Sequence, residues 1–452
     1  MATKQMLIGL SFGNGYGAQF GAWRWPGVDP AGWTNMDLMV RYAQMAERGK
    51  FQFLFMPDFQ SMRGDIGADA QQLTMEPMLT LAAVARGTER IGLVATGSTT
   101  FNEPFNLARQ FKTLDVMSHG RAGWNAVPTS DPSIAANYGR QLPPRAEKYE
   151  RLHEVVQIVQ ALWGSWGKDA WLHDQKSGRF ADPAKVSPII LRGRHVGSAG
   201  PLVLPPSEQG QPVIFQAGGG DEGEIVAGRY ASGVIGAVFS IEDAREQRMA
   251  LRAAAERAGR DPDEIKFFAG VMTTFGPDRR AALDRRIAMG REALEQRVGY
   301  LGQMLGLPLK PSQLDAPLSA EQLAAARPSP YDPRSNHALK IAREGWTLLD
   351  VLAHGVIDYH PTIVGPPVEL ADHMQEWFEA GAADGFWLNP DVYEDGLPPI
   401  VDEVVPILQE RGLFHRDYEG TTLRDHLGAP AQYGLDHRVM GRLSARTTMA
   451  FR

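Results

Sequence analysis

The chain has 452 residues, 43% hydrophobic and 22% charged, an ordinary globular composition with enough apolar material for a large core. A formal net charge of −7 supplies no basic stripe to neutralise phosphates, which argues against nucleic acid as a partner. The absence of cysteine removes disulfides, thiolate metal sites and cysteine nucleophiles together.

No apolar run approaches the roughly 20 residues that span a bilayer. The first residues, Met1 to Gln5, lack a signal peptide's hydrophobic region, so a soluble cytoplasmic protein is expected. Along the chain, short apolar runs alternate with segments of helical period, the pattern of repeated strand–helix units. Residues 6–12 read as the first strand, and after a Gly/Trp-rich loop Asn35 caps a helix to about residue 50 with Asp37 in its first turn. Residues 51–56 form a second strand, ended by Pro57 and followed by Asp58. A helix over 76–86 leads to a strand over 91–96. The next helix opens at Pro104, buries Leu107, Ala108, Phe111 and Leu114 on one face, and stops at Gly120. Residues 121–127 return as strand, and 146–163 carry a wide apolar stripe.

Periodicity is lost from 164 to 211, which reads as an insertion because the alternation then resumes. Strands are expected at 212–217, 233–239 and 265–272, with helices at 220–231, 241–259 and from 277 onward. A second irregular insertion, 302–360, contains Pro308, Pro311, Pro317, Pro328, Pro330 and Pro333. A helix at 367–380, a strand at 385–388 and a helix at 399–412 follow. About eight strand–helix units result, the number that closes a (β/α)₈ TIM-type barrel. The expected organisation is one barrel over 1–412 with two insertions, then a C-terminal extension or interface arm over 413–452.

Chemistry in such barrels sits on the loops after the strands. Gly13-Asn14-Gly15-Tyr16-Gly17-Ala18 matches a dinucleotide fingerprint formally. The following Phe20-Gly21-Ala22-Trp23-Arg24-Trp25-Pro26 will not propagate the helix such a motif needs, so that site is rejected. The loop reads either as an aromatic lid over the barrel mouth or as a loop packed on its own rings. Gln216-Ala217-Gly218-Gly219-Gly220-Asp221 lies between a strand and a helix, where backbone N–H groups can face a phosphate. The alternative is a plain tight turn with Asp221 and Glu222 capping the helix. Asp58 is placed either as an orienting acid or as a turn cap. Thr96, Ser98, Thr99 and Thr100 offer hydroxyls to a cofactor's polar edge, although β-branched residues are common at strand ends. The eleven histidines show no metal spacing, and no metal is expected.

The run Thr99-Thr100-Phe101-Asn102-Glu103-Pro104-Phe105-Asn106-Leu107-Ala108-Arg109-Gln110-Phe111-Lys112-Thr113-Leu114-Asp115 continues into Ser118-His119-Gly120-Arg121-Ala122-Gly123-Trp124-Asn125. It resembles the signature of the nitrilotriacetate monooxygenase branch of the bacterial-luciferase-like superfamily. Asp58, Tyr149, the Gln216-Ala217-Gly218 turn, Gly381-Ala382-Ala383-Asp384-Gly385 and Glu419-Gly420-Thr421-Thr422-Leu423-Arg424-Asp425 agree with it. The resemblance implies a (β/α)₈ barrel that takes non-covalent reduced flavin mononucleotide (FMN) from a separate reductase. It implies that the flavin reacts with O₂ to give a flavin peroxide, which oxidises a small organic substrate. Homodimers or higher oligomers are also implied.

The flavin contacts it implies fall on Asp58, a hydroxyl at Thr96 or Thr99, Asn125, Tyr149 and the Gly219-Gly220 turn. Three positions depart from the family's pattern. Gly220 replaces a serine, Arg145 replaces a histidine and can supply phosphate charge instead, and Pro128 interrupts the run after Asn125. Among residues expected at the mouth, His337, His354 or His360, with Asn14 or Tyr16, are candidates to orient substrate or donate a proton. The rival readings are a deazaflavin- or FMN-dependent dehydrogenase on the same barrel and a non-catalytic flavin-binding protein.

Overall fold

A computed structural model describes residues 5–62, 64, 66, 67 and 74–436. Eight parallel strands close into a barrel: β1 (Leu7–Ser11), β2 (Phe53–Met56), β3 (Gly92–Ser98), β4 (Ala122–Val127), β5 (Val213–Ala217), β6 (Gly233–Gly236), β7 (Lys266–Phe275) and β8 (Gly385–Pro390). Each strand pairs with its neighbours in this order, and β8 returns to β1 with Leu7 opposite Gly385. β6 ends at Gly236 opposite Ala269, leaving the upper edge of the longer β7 open. A ninth strand, Thr362–Gly365, takes that edge, with Met272 opposite Thr362.

The outer helices form where the sequence places apolar stripes. They are α1 (Met36–Arg48), α2 (Pro77–Gly87), α3 (Pro104–Met117), α4 (Arg145–Trp163), α5 (Asp221–Tyr230), α6 (Ile241–Arg257) and α7 (Pro367–Glu379). Their starts carry the expected chemistry. The Asn35 side chain accepts from Leu38 N, Ser240 caps α6, and proline opens α2, α3 and α7. After β8 a helix runs through Tyr393–Pro399, Ile400–Val404 and Val405–Glu410. Among the described residues no helix is long and apolar enough to cross a membrane.

Two expectations change. Residues 302–360, read as irregular, are largely helical: Val298–Leu305, Ala320–Ala325, Ser335–Arg343 and Leu348–Ala353 pack with Arg279–Gln296 around their own hydrophobic cluster. The prolines lie between these helices, where a missing N–H removes no ladder hydrogen bond. The 164–211 stretch contains two short hairpins, Trp171–Asp174 with Arg179–Ala181 and Leu191–Arg192 with Gly197–Ser198.

Inside the barrel, Phe53, Phe215 and Phe268 fill the lower half. The Phe53 ring lies 4.9 Å from each of the other two. Leu423 and Leu427, on the short helix Leu423–Leu427, join this cluster from below and close the floor. Residues 437–452, the remainder of the expected C-terminal extension, lie outside the described residues.

Candidate functional site

A cavity of about 580 Å³ opens at the C-terminal ends of the barrel strands. β2 contributes Phe55 and, just beyond it, Asp58; β3 contributes Thr96, β4 Asn125 and β8 Trp387. The β5–α5 turn supplies Gly218, Gly219 and Gly220, and the segment before the ninth strand supplies Tyr359 and His360. Six of the residues singled out from sequence, Asp58, Thr96, Asn125, Gly219, Gly220 and His360, therefore meet in one space.

Asn125 is 3% exposed, and its Nδ2 donates to Thr96 Oγ1 at 3.0 Å. That bond fixes the amide's orientation and leaves Oδ1 buried without a partner. An unmet buried acceptor costs on the order of 1–3 kcal/mol unless a ligand satisfies it. Gln216 Oε1 and Trp387 Nε1 are also buried and unpartnered.

The glycine turn has the opposite character, being open. Gly218 (φ +119°) and Gly220 (φ +83°) hold conformations that side chains disfavour, and a Cβ at either would meet nothing within 4 Å. No side chain caps α5, so its first N–H groups stay available at the cavity edge. Asp221, Glu222 and Glu224 in the first turn face the positive end of the helix dipole.

Two titratable groups are perturbed. Burial pushes the Asp58 carboxyl up to about 6, and nearby Glu76 adds to the rise against a hydrogen bond from Gln60. Burial likewise pulls His360 down to about 4, so its imidazole is neutral at pH 7 and neither ring nitrogen has a partner. The ring stands edge-on to Trp387 (5.4 Å, 85°) and Tyr359 (4.7 Å, 81°). It fits only because residue 270 on β7 is glycine: a Cβ there would lie 2.3 Å from His360 Nδ1.

The other candidates lie elsewhere. Asn14 folds its own loop, donating to Gly17 O and accepting from Tyr16 N and Gly17 N. Tyr16 is 3% exposed and donates to Pro30 O at 2.7 Å. No helix opens at this loop's glycines; the single turns Ala22–Arg24 and Gly32–Thr34 come between them and α1. Thr99 is fully buried, with its hydroxyl donating to Val127 O. The Arg145 guanidinium sits 5.3 Å over the Tyr149 ring in the first turns of α4. His337 and His354 line a second cavity behind the first. Sequence reasoning missed Trp387, Tyr359 and Gly270. The first two follow from the strand end and the insertion, whereas nothing near Gly270 in sequence announces its role.

Comparison with known proteins agrees with this architecture. The luciferase-like monooxygenase family model matches residues 17–384. N-acetyl-S-(2-succino)cysteine monooxygenase of Bacillus subtilis (strain 168) is 37% identical over 94% of this chain and 97% of its own length. Nitrilotriacetate monooxygenase component A of Aminobacter aminovorans is 33% identical over 94% and 97%. The solved structure of a riboflavin lyase with modified FMN and riboflavin superposes with a TM-score of 0.76 at 29% identity, over 96% of this chain and 98% of that one. The chain belongs to the luciferase-like monooxygenase family.

Proposed function

We propose that this monooxygenase binds reduced FMN in the barrel-mouth cavity and inserts one atom of O₂ into a small organic substrate. The observation that carries the reading is the pairing, in one cavity, of a buried unmet amide oxygen on Asn125 with an open glycine turn at the head of α5. The first suits an N–H on the edge of a flavin ring, and the second suits a phosphate. The modified FMN in a related structure supports the cofactor, and the relative that is component A of a nitrilotriacetate monooxygenase supports a separate reductase.

Asn125 and Thr96 would hold the ring edge, and the Gly219 and Gly220 backbone with the α5 N-terminus would hold the phosphate. Bound reduced FMN supplies the two electrons that activate O₂, with the second oxygen atom leaving as water. Phe55 and Trp387, which line the cavity, would keep water from a flavin held there. His360, neutral and unpartnered, can take or give a proton at Nε2 or Nδ1, and is the candidate that orients substrate.

The test is titration with reduced and oxidised FMN, followed by oxygen uptake measured against product. Oxygen uptake coupled to product supports the reading, and uptake that ends only in hydrogen peroxide overturns it. Light scattering checks the homo-oligomer that the family resemblance implies.

A further inference from the structure

The second cavity, about 350 Å³, lies between the start of α6, the helical insertion and α7. It stands back to back with the flavin cavity. Gly236 and Ala237 face the first and Phe239 the second; Tyr359 and His360 face the first and Pro361 the second.

Its polar lining is mixed: Ser240, Thr362, His337 and Arg334 carry donors, while His354, Glu242 and Glu376 offer acceptors. His354 is 7% exposed, and its Nδ1 lies 2.7 Å from Asp350 O. A carbonyl can only accept, so Nδ1 carries the proton and Nε2 is a bare lone pair, buried and without a partner. His373 Nε2 is also buried and unpartnered, a donor or an acceptor according to tautomer, with its ring 4.9 Å from Trp377. Burial holds both imidazoles below the usual histidine range, which keeps them neutral. The carboxylates of Glu242 and Glu376 complete the lining, and neither pairs with a cation among the described residues.

The single arginine of this lining does not offset them. Arg334 is spent on both Asp332 oxygens and on the Ile357 and Asp358 carbonyls. A metal ion is a poor match, because the described residues contain no group of three or more ligands that could hold one. The unmet His354 Nε2, two carboxylates and the aromatic face of Trp377 together suit an organic ammonium on an apolar body, the Phe239 ring being covered by the Arg334 guanidinium at 5.6 Å.

We propose that this cavity is a second ligand site, separate from the flavin site, that takes a small aromatic or aliphatic amine in its protonated form.

Phenethylamine is the probe, and 2-phenylethanol its uncharged counterpart. Both are titrated calorimetrically into the full-length protein, with and without saturating FMN. The expected result is 1:1 saturable binding of the amine that FMN does not displace, with the alcohol at least about tenfold weaker. The Glu242→Gln/Glu376→Gln double variant, altered only at exposed positions, keeps the native melting temperature and binds the amine at least about tenfold more weakly. No saturation, equal binding of the alcohol, undiminished binding in the double variant, or displacement by FMN would each overturn the proposal.

Discussion

The floor and the mouth of the barrel treat buried polar groups in opposite ways. Near the floor, Asp115 is fully buried, and its carboxylate accepts from Ser207, Gln209, the Ala122 N–H and Lys112. Arg121 beside it spends all five guanidinium N–H groups, on Ser118 O, Ile91 O, Ala85 O and both oxygens of Thr88. At the mouth, Asn125 Oδ1, Gln216 Oε1, Trp387 Nε1 and both nitrogens of His360 have no partner. The difference separates two uses of polarity. The Asp115 and Arg121 networks of the floor are spent on holding the chain, although His426 on the closing helix is also without a partner, while the mouth groups converge on an open cavity.

The largest expected effect breaks the floor. Asp115→Ala strands the Lys112 ammonium, and urea denaturation should show a loss of about 3–5 kcal/mol. Next is Gly270→Ala, whose methyl drives into His360. We expect about 1–3 kcal/mol of overpacking cost, removed when His360→Ala vacates the space. A double-mutant cycle of unfolding free energies measures that coupling, and a Gly270→Ala cost that persists without His360 would refute the contact.

Asn125→Leu should separate the two regions most clearly. It removes an unmet acceptor together with the Nδ2 bond to Thr96, so stability should fall by no more than about 1–2 kcal/mol. Affinity for reduced FMN, followed by flavin fluorescence quenching, should fall about tenfold. The smallest effect concerns Asp58. Its folded-state pKa of about 6 lies above the unfolded value of 3.8, so the folded protein binds more protons through this window. Stability should fall as pH rises from about 4 to 6, by ~1 kcal/mol once solvent screening is allowed for, and level off above. Asp58→Asn removes that slope, which urea midpoints across the same pH range would reveal.

The barrel was legible because strands buried on both faces, such as Gly92–Ser98, read as apolar runs between helices with ordinary caps. The insertion helices were not, because segments such as Ala320–Ala325 are too short to show a period between prolines. Much of the signature that marked the family, from Thr99 to Asn125, is floor machinery: Lys112, Asp115, Ser118 and Arg121 belong to the satisfied network. In the site, Asp58 and the glycine turn could be read because each comes just after a strand, and Asn125 because it stands in the C-terminal half of one. Thr96 could not be told from Thr99, since the choice depends on which hydroxyl faces inward and which bonds Val127. Gly270 was invisible because its meaning lies in a ring ninety positions away.

The closed floor also sets the order in which the molecule can be completed. Tyr418 reaches Phe51 across 367 residues, and Leu423 seals a cylinder whose other walls lie far upstream. Contacts of such separation form only after the intervening loops have closed, so sealing is a late event. Until it happens, the phenylalanines of the lower barrel face water through an unplugged end. A chain caught at that stage would carry a nearly finished mouth above an open, adhesive base, the surface a chaperone would be first to find.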